Sequence, residues 1–446
     1  MFLIFLSFTI FNIDDAIDYG LKNNKNILSA YEKMKQKEIE VRISLSNFLP
    51  SVDFQGSMTR LDEVQKFSMV SVKDTLIPVP VYDINHNLIG YTQPIPVPYG
   101  IDTFEIEMGK LENYLLRTTV KQPIFTGGKL FNAYLISRLN YEIEKENYKK
   151  QVKNLKIQIT QLFYSIIATD KALELLNESY NQTQKHYEQV ERLYSNGLAS
   201  KLDLLNTKTA LLNMKTQLLN LQNTSKLLKN NFKLLLSIED SFQLKSELEY
   251  KPFTLSYEEA LESAFENSND LMILKKTREI LEKAKNIEIS NFLPNIFALF
   301  NYDYSKPENF SNPDWGTSWN ITIGMSMNVF NGFTKINKIR SKNCDIKQID
   351  FTIAQYEDFL KNEVRRLFDE IEKNKEILDY QKDVISNSEE ALKIAESRYI
   401  NGQITNLEYT DTQILLLQAK TEYLKTLTNY IISTKNMEIL IEKEEL

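Results

Sequence analysis

Ser46-Asn47-Phe48-Leu49-Pro50 returns as Ser290-Asn291-Phe292-Leu293-Pro294, and the reading of the whole chain follows from that pair. The offset is 244 residues (291 − 47), and at that offset Asp14-Asp15-Ala16 falls on Glu258-Glu259-Ala260, an acidic pair opening a helix in each copy. Further along, Phe125-Thr126-Gly127 matches Phe330-Asn331-Gly332, and Tyr194-Ser195-Asn196-Gly197 matches Tyr399-Ile400-Asn401-Gly402. Both of these pairs give 205 (330 − 125 and 402 − 197), so the first copy holds 39 extra residues (244 − 205) between its Phe-Leu-Pro step and its glycine. The chain is a tandem duplication with one enlarged loop.

Glycine and proline punctuate the two copies alike. Neither occurs between Lys129 and Ser195 or between Leu198 and Lys251, and Phe333 to Leu446 holds only Gly402. Such runs read as helices of about 65 residues before the Asn-Gly step, near 100 Å at the α-helical rise. Helices that long brace one another as coiled coils. The heptads agree: Val152, Ile159, Ile166, Leu173, Tyr180, Tyr187 and Tyr194 form one row, and Leu155, Leu162, Thr169, Leu176, Thr183 and Val190 its companion. In the second copy Val364, Ile371, Leu378, Ile385, Leu392 and Tyr399 repeat the first row. Their companion row starts with Leu360 and Leu367, then turns to Asn374, Gln381, Ser388 and Ala395. That softening fits either a solvated coiled-coil edge or a wall facing a wet lumen.

Between the first helix of each copy and the long ones, the period switches to alternation. Trp319, Ile321, Ile323, Met325, Met327 and Val329 lie on one side of a strand, Ser318, Asn320, Thr322, Gly324, Ser326 and Asn328 on the other. About eleven residues is the length a tilted membrane strand requires. Its partner sets Ile296, Ala298, Phe300, Tyr302 and Tyr304 against Asn295, Phe297, Leu299, Asn301 and Asp303, and the first copy offers weaker versions. A soluble half-buried sheet alternates too. Small uncharged polar faces and tyrosine and tryptophan at strand ends favour a barrel with an aromatic girdle. Four strands cannot close a barrel, and an open edge cannot face hydrocarbon, so strands in a membrane demand an oligomer of two, three or more chains.

The organisation expected is therefore a leading apolar segment (1–12) and two structural repeats. The first (13–250) has a helix, a strand at 50–60, a long loop at 61–111 carrying five prolines, a strand at 112–125 and long helices over 128–236. The second (251–446) has a helix, strands at 294–304 and 318–330, and long helices over 333–441. The leading run, MFLIFLSFTIF, resembles the apolar core of an export signal, lacks the basic start and small-residue cleavage site, and is too short to span a membrane as a helix.

Composition excludes other classes. A net charge of −7 supplies no basic face for nucleic acid. One cysteine, Cys344, allows no internal disulfide, and His86 and His186 lie far apart and read as surface or packing residues. No nucleophile–base pairing, phosphate loop or metal-ligand spacing is present, so no enzyme, cofactor or metal centre is expected. Two rivals remain. A soluble structural coiled-coil protein with a small β-domain leaves the strands and the leading run unexplained, and a general porin leaves more than half the chain as idle helix.

With the duplication, the Phe-Leu-Pro step, the Phe-x-Gly step and the two tips Tyr194-Ser-Asn-Gly-Leu-Ala-Ser-Lys-Leu-Asp203 and Tyr399-Ile-Asn-Gly-Gln-Ile-Thr-Asn-Leu-Glu408, nearly the whole chain resembles the TolC-like outer-membrane factor family, the outer membrane efflux proteins. The resemblance implies an α+β membrane protein: a homotrimeric channel-tunnel with a 12-stranded β-barrel, four strands per chain, in outer-membrane lipid and a long α-helical barrel across the periplasm. It implies a passive exit duct for multidrug efflux or type I secretion, working with a periplasmic adaptor (a membrane fusion protein) and an RND-type or ABC-type inner-membrane pump.

By match to the family's motif, Glu408 and Asp411 fall on an acidic ring that narrows the pore, three apart on one helix face. Glu408 also completes a capping box with Thr405, as Asp203 does with Ser200, so both acids have a plainer reading as helix caps. Asp203 and Tyr399 match a polar latch between the tips, but Ile404 stands where the family has arginine. Lys201 is the alternative cation, and apolar contact through Leu198 and Ile404 the alternative closure. Gly197, Leu198, Ala199, Ser200, Gly402, Gln403, Ile404 and Thr405 are the expected helix-tip turns and adaptor contacts.

Overall fold

The computed structural model describes residues 9–309 and 312–442. Its elements in chain order are β1 (Thr9–Phe11), α1 (Ile13–Asn23), α2 (Lys25–Ser46), β2 (Ser51–Arg60), β3 (Gln65–Ile77), β4 (Pro80–Tyr82), β5 (Leu88–Tyr91), β6 (Ile95–Met108), β7 (Glu112–Phe125), α3 (Lys129–Ser195) and α4 (Lys201–Leu236). There follow β8 (Phe242–Leu244), α5 (Tyr257–Asn267), α6 (Asn269–Ser290), β9 (Asn295–Lys306), β10 (Gly316–Ser326), α7 (Thr334–Ile400) and α8 (Asn406–Ile441). The duplication holds in helix length: α1 and α5 have 11 residues, α2 and α6 22, α3 and α7 67, α4 and α8 36.

Each copy opens with two helices where the sequence promised one. Asn24, in an extended conformation, ends α1, and its Oδ1 accepts from Asn26 N at 2.9 Å to start α2. Its Nδ2 donates to Leu235 O of α4 at 2.8 Å, so a distant helix end fixes the break. In the second copy Ser268 takes the place of Asn24, its Oγ accepting from Leu271 N at 3.3 Å. The second acid of each opening pair is the N3 residue of a capping box, Asp15 with Asn12 and Glu259 with Ser256.

The chain forms two compact units, and one of them takes residues up to Arg42, Tyr134–Lys285 and Arg340 onward. Its core is Ile159, Phe163 and Ile166 from α3, Phe232 and Leu236 from α4, Val364 and Ile371 from α7, and Tyr430 and Met437 from α8, with Ala16 and Ala260 of α1 and α5 packed in. Each large side chain there contributes roughly 1.5–3 kcal/mol of hydrophobic stabilisation. β1 pairs in parallel with β8, and Phe11 is buried, so Thr9–Phe11 belongs to this fold although the leading apolar segment was drawn through residue 12. Residues 1–8 of that segment lie outside the described residues. Tyr430 secures the connection into the second copy, its hydroxyl donating to Lys251 O (2.9 Å) and accepting from Phe253 N (3.1 Å). The companion row of α7 is drawn into the packing of this chain toward its polar part. Asn374 is 4% exposed with no partner for its Nδ2 among the described residues, and Gln381 and Ser388 are half-buried.

The second unit, Ile43–Ala133 and Asn286–Ile339, is built on a four-stranded antiparallel sheet in the order β10-β9-β7-β2. Register aligns Val52, Val120, Phe300 and Ile321 in one row and Phe54, Thr118, Tyr302 and Trp319 in the next row of the same face. The opposite face carries Asp53, Thr119, Asn301 and Asn320, then Gln55, Arg117, Asp303 and Ser318. β10 stops at Ser326, short of the expected 330. Ser326 pairs with Asn295, and the residue before that is Pro294, which has no N–H for the ladder.

The segment 61–111 is not the loop expected of it. β3 and β6 form a long antiparallel ribbon and β4 and β5 a short one. Pro96 and Pro98 sit within β6, which a two-stranded ribbon tolerates because one side of each strand needs no donor. Among the described residues no helix is long and apolar enough to cross a membrane.

Candidate functional site

Two regions carry functional geometry, the sheet and the helix tips. On the polar face of the sheet the rows are knitted across strands from both copies. Arg117 and Asp303 form a bidentate pair (Nε–Oδ1 2.7 Å, Nη2–Oδ2 2.8 Å). Thr119 Oγ1 donates to Asn301 Oδ1 (2.9 Å), and Asn301 Nδ2 to Asn320 Oδ1 (3.1 Å). This face is charged where the sequence reading had it uncharged, but the guanidinium and carboxylate neutralise each other. On the other face Trp319, Ile321, Ile323 and Met325 are each more than 60% exposed, a contiguous apolar surface of the kind that marks a membrane or protein contact. Tyr114, Tyr304 and Trp315 gather at one end of the sheet, Trp315 stacked on Tyr304 at 4.7 Å. β2 and β10 are the edges and run in opposite directions.

The two tips are built alike. At the end of α3, Leu198 N donates to Leu193 O (2.8 Å) and Gly197 N to Tyr194 O (2.9 Å). At the end of α7, Gln403 N donates to Arg398 O (2.8 Å) and Gly402 N to Tyr399 O (3.0 Å). This paired pattern closes a helix through a left-handed residue, and Gly197 (φ 73°) and Gly402 (φ 67°) supply it. Three residues later Ser200 and Thr405 cap α4 and α8, with Asp203 and Glu408 completing the boxes. Glu408 Oε2 accepts from Thr405 N at 2.7 Å and Oγ1 at 2.9 Å, and these bonds hold its carboxyl below the ordinary glutamate value.

Of the site residues expected from sequence, Glu408 and Asp411 are both exposed near the start of α8, Glu408 engaged by its own cap. Asp203 caps α4 through Ser200 and lies close enough to Tyr399 for its charge to add to burial in raising the Tyr399 phenol. No hydrogen bond joins those two side chains among the described residues. Lys201 is exposed and has no ion-pair partner among the described residues of this chain. Leu198 stands 75% exposed and Ile404 half-buried. Ala199 is half-buried, and Ser200, Gln403 and Thr405 are exposed along the same turns.

What joins the tips is a cluster that the sequence reading missed. His186 of α3 is 6% exposed, and its Nε2 meets Asn406 Oδ1 of α8 at 2.6 Å. Asn406 Nδ2 donates to Thr207 Oγ1 (2.9 Å) and to Asp203 O (3.3 Å) of α4, which leaves its oxygen to the imidazole and makes Nε2 the donor. Tyr399 of α7 and Tyr409 of α8 stack at 5.1 Å, and both meet the imidazole edge-on, at 5.1 and 4.9 Å. Burial pushes the imidazole below its ordinary value. Nothing in sequence pairs His186 with Asn406; they are 220 positions apart, and His186 lies on neither heptad row.

Compared by sequence with curated proteins, the chain matches none. By structure it resembles CusC, described in terms of transmembrane channel formation (TM-score 0.75, 14% identity, covering 97% of this chain and 92% of that one). It also resembles the outer membrane protein VceC of Vibrio cholerae (0.72, 15%, 97% and 97%) and the CmeC outer membrane channel of Campylobacter jejuni (0.73, 13%, 96% and 85%). At those identities the likeness speaks for the fold. The family model described as outer membrane efflux protein matches residues 16–236 and 260–440, one stretch in each copy. The chain therefore belongs to the outer membrane efflux protein family, and it is a channel of the outer membrane with a periplasmic extension rather than an enzyme.

Proposed function

We propose that three copies of this chain close a 12-stranded barrel and a continuous helical tunnel. In this reading the assembly is the passive, gated exit duct of a tripartite efflux or type I secretion system. The supporting observation is the sheet. Its four strands have an apolar face, a polar face and two free edges of opposite direction, so a sister chain's β2 can meet β10 antiparallel. The barrel then presents Trp319, Ile321 and Ile323 to lipid and the Arg117–Asp303 row to water.

The helix tips lie at the periplasmic end in this assignment. Glu408 and Asp411 from each chain form the acidic constriction, which favours cations. Leu198, Ala199, Gln403 and Ile404, on turns fixed by Gly197 and Gly402, meet the periplasmic adaptor, and an RND-type or ABC-type pump supplies the energy. Cross-linking in the native membrane followed by purification tests the assembly: trimers with an adaptor and pump attached are expected, and a dimer or a lone soluble chain would overturn it. Bilayer recording tests the gate, since a general porin conducts at rest and a closed duct does not.

A further inference from the structure

The His186 cluster deepens the duct reading, and rests on it for one point, that the tips obstruct the path. Four helices meet there, α3 and α4 of the first copy with α7 and α8 of the second, and Asn406 of the second hairpin is tied to the first through the side chains of His186 and Thr207 and the backbone of Asp203. The link is made once per chain. The repeat-related positions are Ala391 and Lys201, which cannot form it.

We propose that His186 and Asn406 are a neutral latch holding the two helical hairpins of one chain together at their tips, and that protonation of the imidazole releases it, so that the duct opens as the compartment around the tips acidifies. An imidazole is the side chain whose charge ordinarily changes between pH 5 and 8. The other polar members of the cluster, Asn406, Thr207 and the phenols of Tyr399 and Tyr409, stay uncharged there, both phenols being raised by burial first.

The charged groups of the surrounding helices are otherwise engaged or turned to water. Asp203 of α4 and Glu408 of α8 are held by their caps, Glu188 and Glu191 of α3 accept from Gln184 and Tyr187, and Asp411 of α8, Arg398 of α7, Arg192 of α3 and Lys201 of α4 are exposed. Glu396 of α7 acts on Tyr409. None forms an ion pair with the imidazole among the described residues, so a proton arriving at His186 meets desolvation that outweighs the one opposing contribution, its hydrogen bond to Asn406.

Loosening the tips returns the imidazole to water and to its ordinary value, near 6.5. The joined form binds the proton less readily than the loosened form, so the latch is intact above about pH 6.5 and weakens as pH falls below it. The ratio of joined to loosened tips drops by up to about tenfold per chain at about pH 5.5.

Single-channel recording of the full-length protein in planar bilayers, with the tip-side solution stepped from about pH 7.5 to about 5.5, reads this directly. Open probability is expected to rise several-fold in the wild type and to stay flat in His186→Gln, which keeps an amide donor for Asn406 but takes no proton. A flat wild type, or an equal rise in His186→Gln, would overturn the latch while leaving the duct standing. A protein that never conducts, at any pH or with loosened tips, would instead remove the duct. The latch has a readout independent of conduction. The chain has two histidines, so histidine-selective NMR labelling of the assembled protein gives two signals, and His86 is exposed. His186 is expected to resist protonation until the tips open. Titration of His186 as a freely solvated imidazole at neutral pH would refute the buried latch even if the glutamine variant failed to fold.

Discussion

Replacing Gly127 by alanine, and Gly332 by alanine beside it, separates two physical effects at positions that the duplication makes equivalent. Both glycines are left-handed, at φ 62° and 63°. An alanine at Gly332 meets nothing within 4 Å, so its penalty is that of left-handed backbone alone, about 1–2 kcal/mol. At Gly127 the added Cβ falls 2.8 Å from Ser290 O and 2.9 Å from Leu293 Cβ, both fixed by the backbone of the second Ser-Asn-Phe-Leu-Pro motif. That collision adds roughly 1–3 kcal/mol, so Gly127→Ala loses about 2–5 kcal/mol in all. Denaturant unfolding in detergent, followed by tryptophan fluorescence, measures it well, because Trp315 and Trp319 both belong to the sheet unit that holds these glycines. Gly127→Ala should move the midpoint clearly further than Gly332→Ala with the slope unchanged. Equal midpoints would mean that the first copy's glycine does not seat the second copy's motif, and the reasoning would fail.

Other outcomes follow from the same geometry. Tyr430→Phe leaves Lys251 O and Phe253 N without the hydroxyl and should lose about 1–3 kcal/mol by thermal unfolding, whereas unchanged stability would mean that water replaces it. Ser200→Ala removes the cap of α4 at about 1 kcal/mol, seen as faster amide exchange over Lys201–Leu204 and nowhere else. Reversal potentials should shift toward cations in Arg117→Gln and away from them in Asp303→Asn, since each leaves its former partner's charge bare on the polar face. Asp411→Asn should weaken cation preference and block by multivalent cations; unaltered selectivity would take Asp411 out of the pore.

Much of this was legible in sequence because it is written in backbone chemistry. Gly197 and Gly402 end their helices through the left-handed turn that an Asn-Gly step announces. What stayed hidden depends on partners distant in the chain. Asn24 could have continued a helix; Leu235 O, 211 positions away, makes it a break. The prolines around β6 read as loop until the ribbon shows that their side of the strand has no partner. Asn374 looked like a wet face, yet it packs inside the coil. His186 was dismissed as packing because its partner, Asn406, sits inside a capping box where only Thr405 and Glu408 were read as functional.

The two raw edges of the sheet set a rule for biogenesis. A lone chain has no way to enter hydrocarbon, so insertion must wait for copies to find one another in the aqueous envelope. Output of finished channels should then climb more steeply than synthesis of the polypeptide, and a copy damaged along β2 or β10 should strand its intact siblings outside the lipid along with itself.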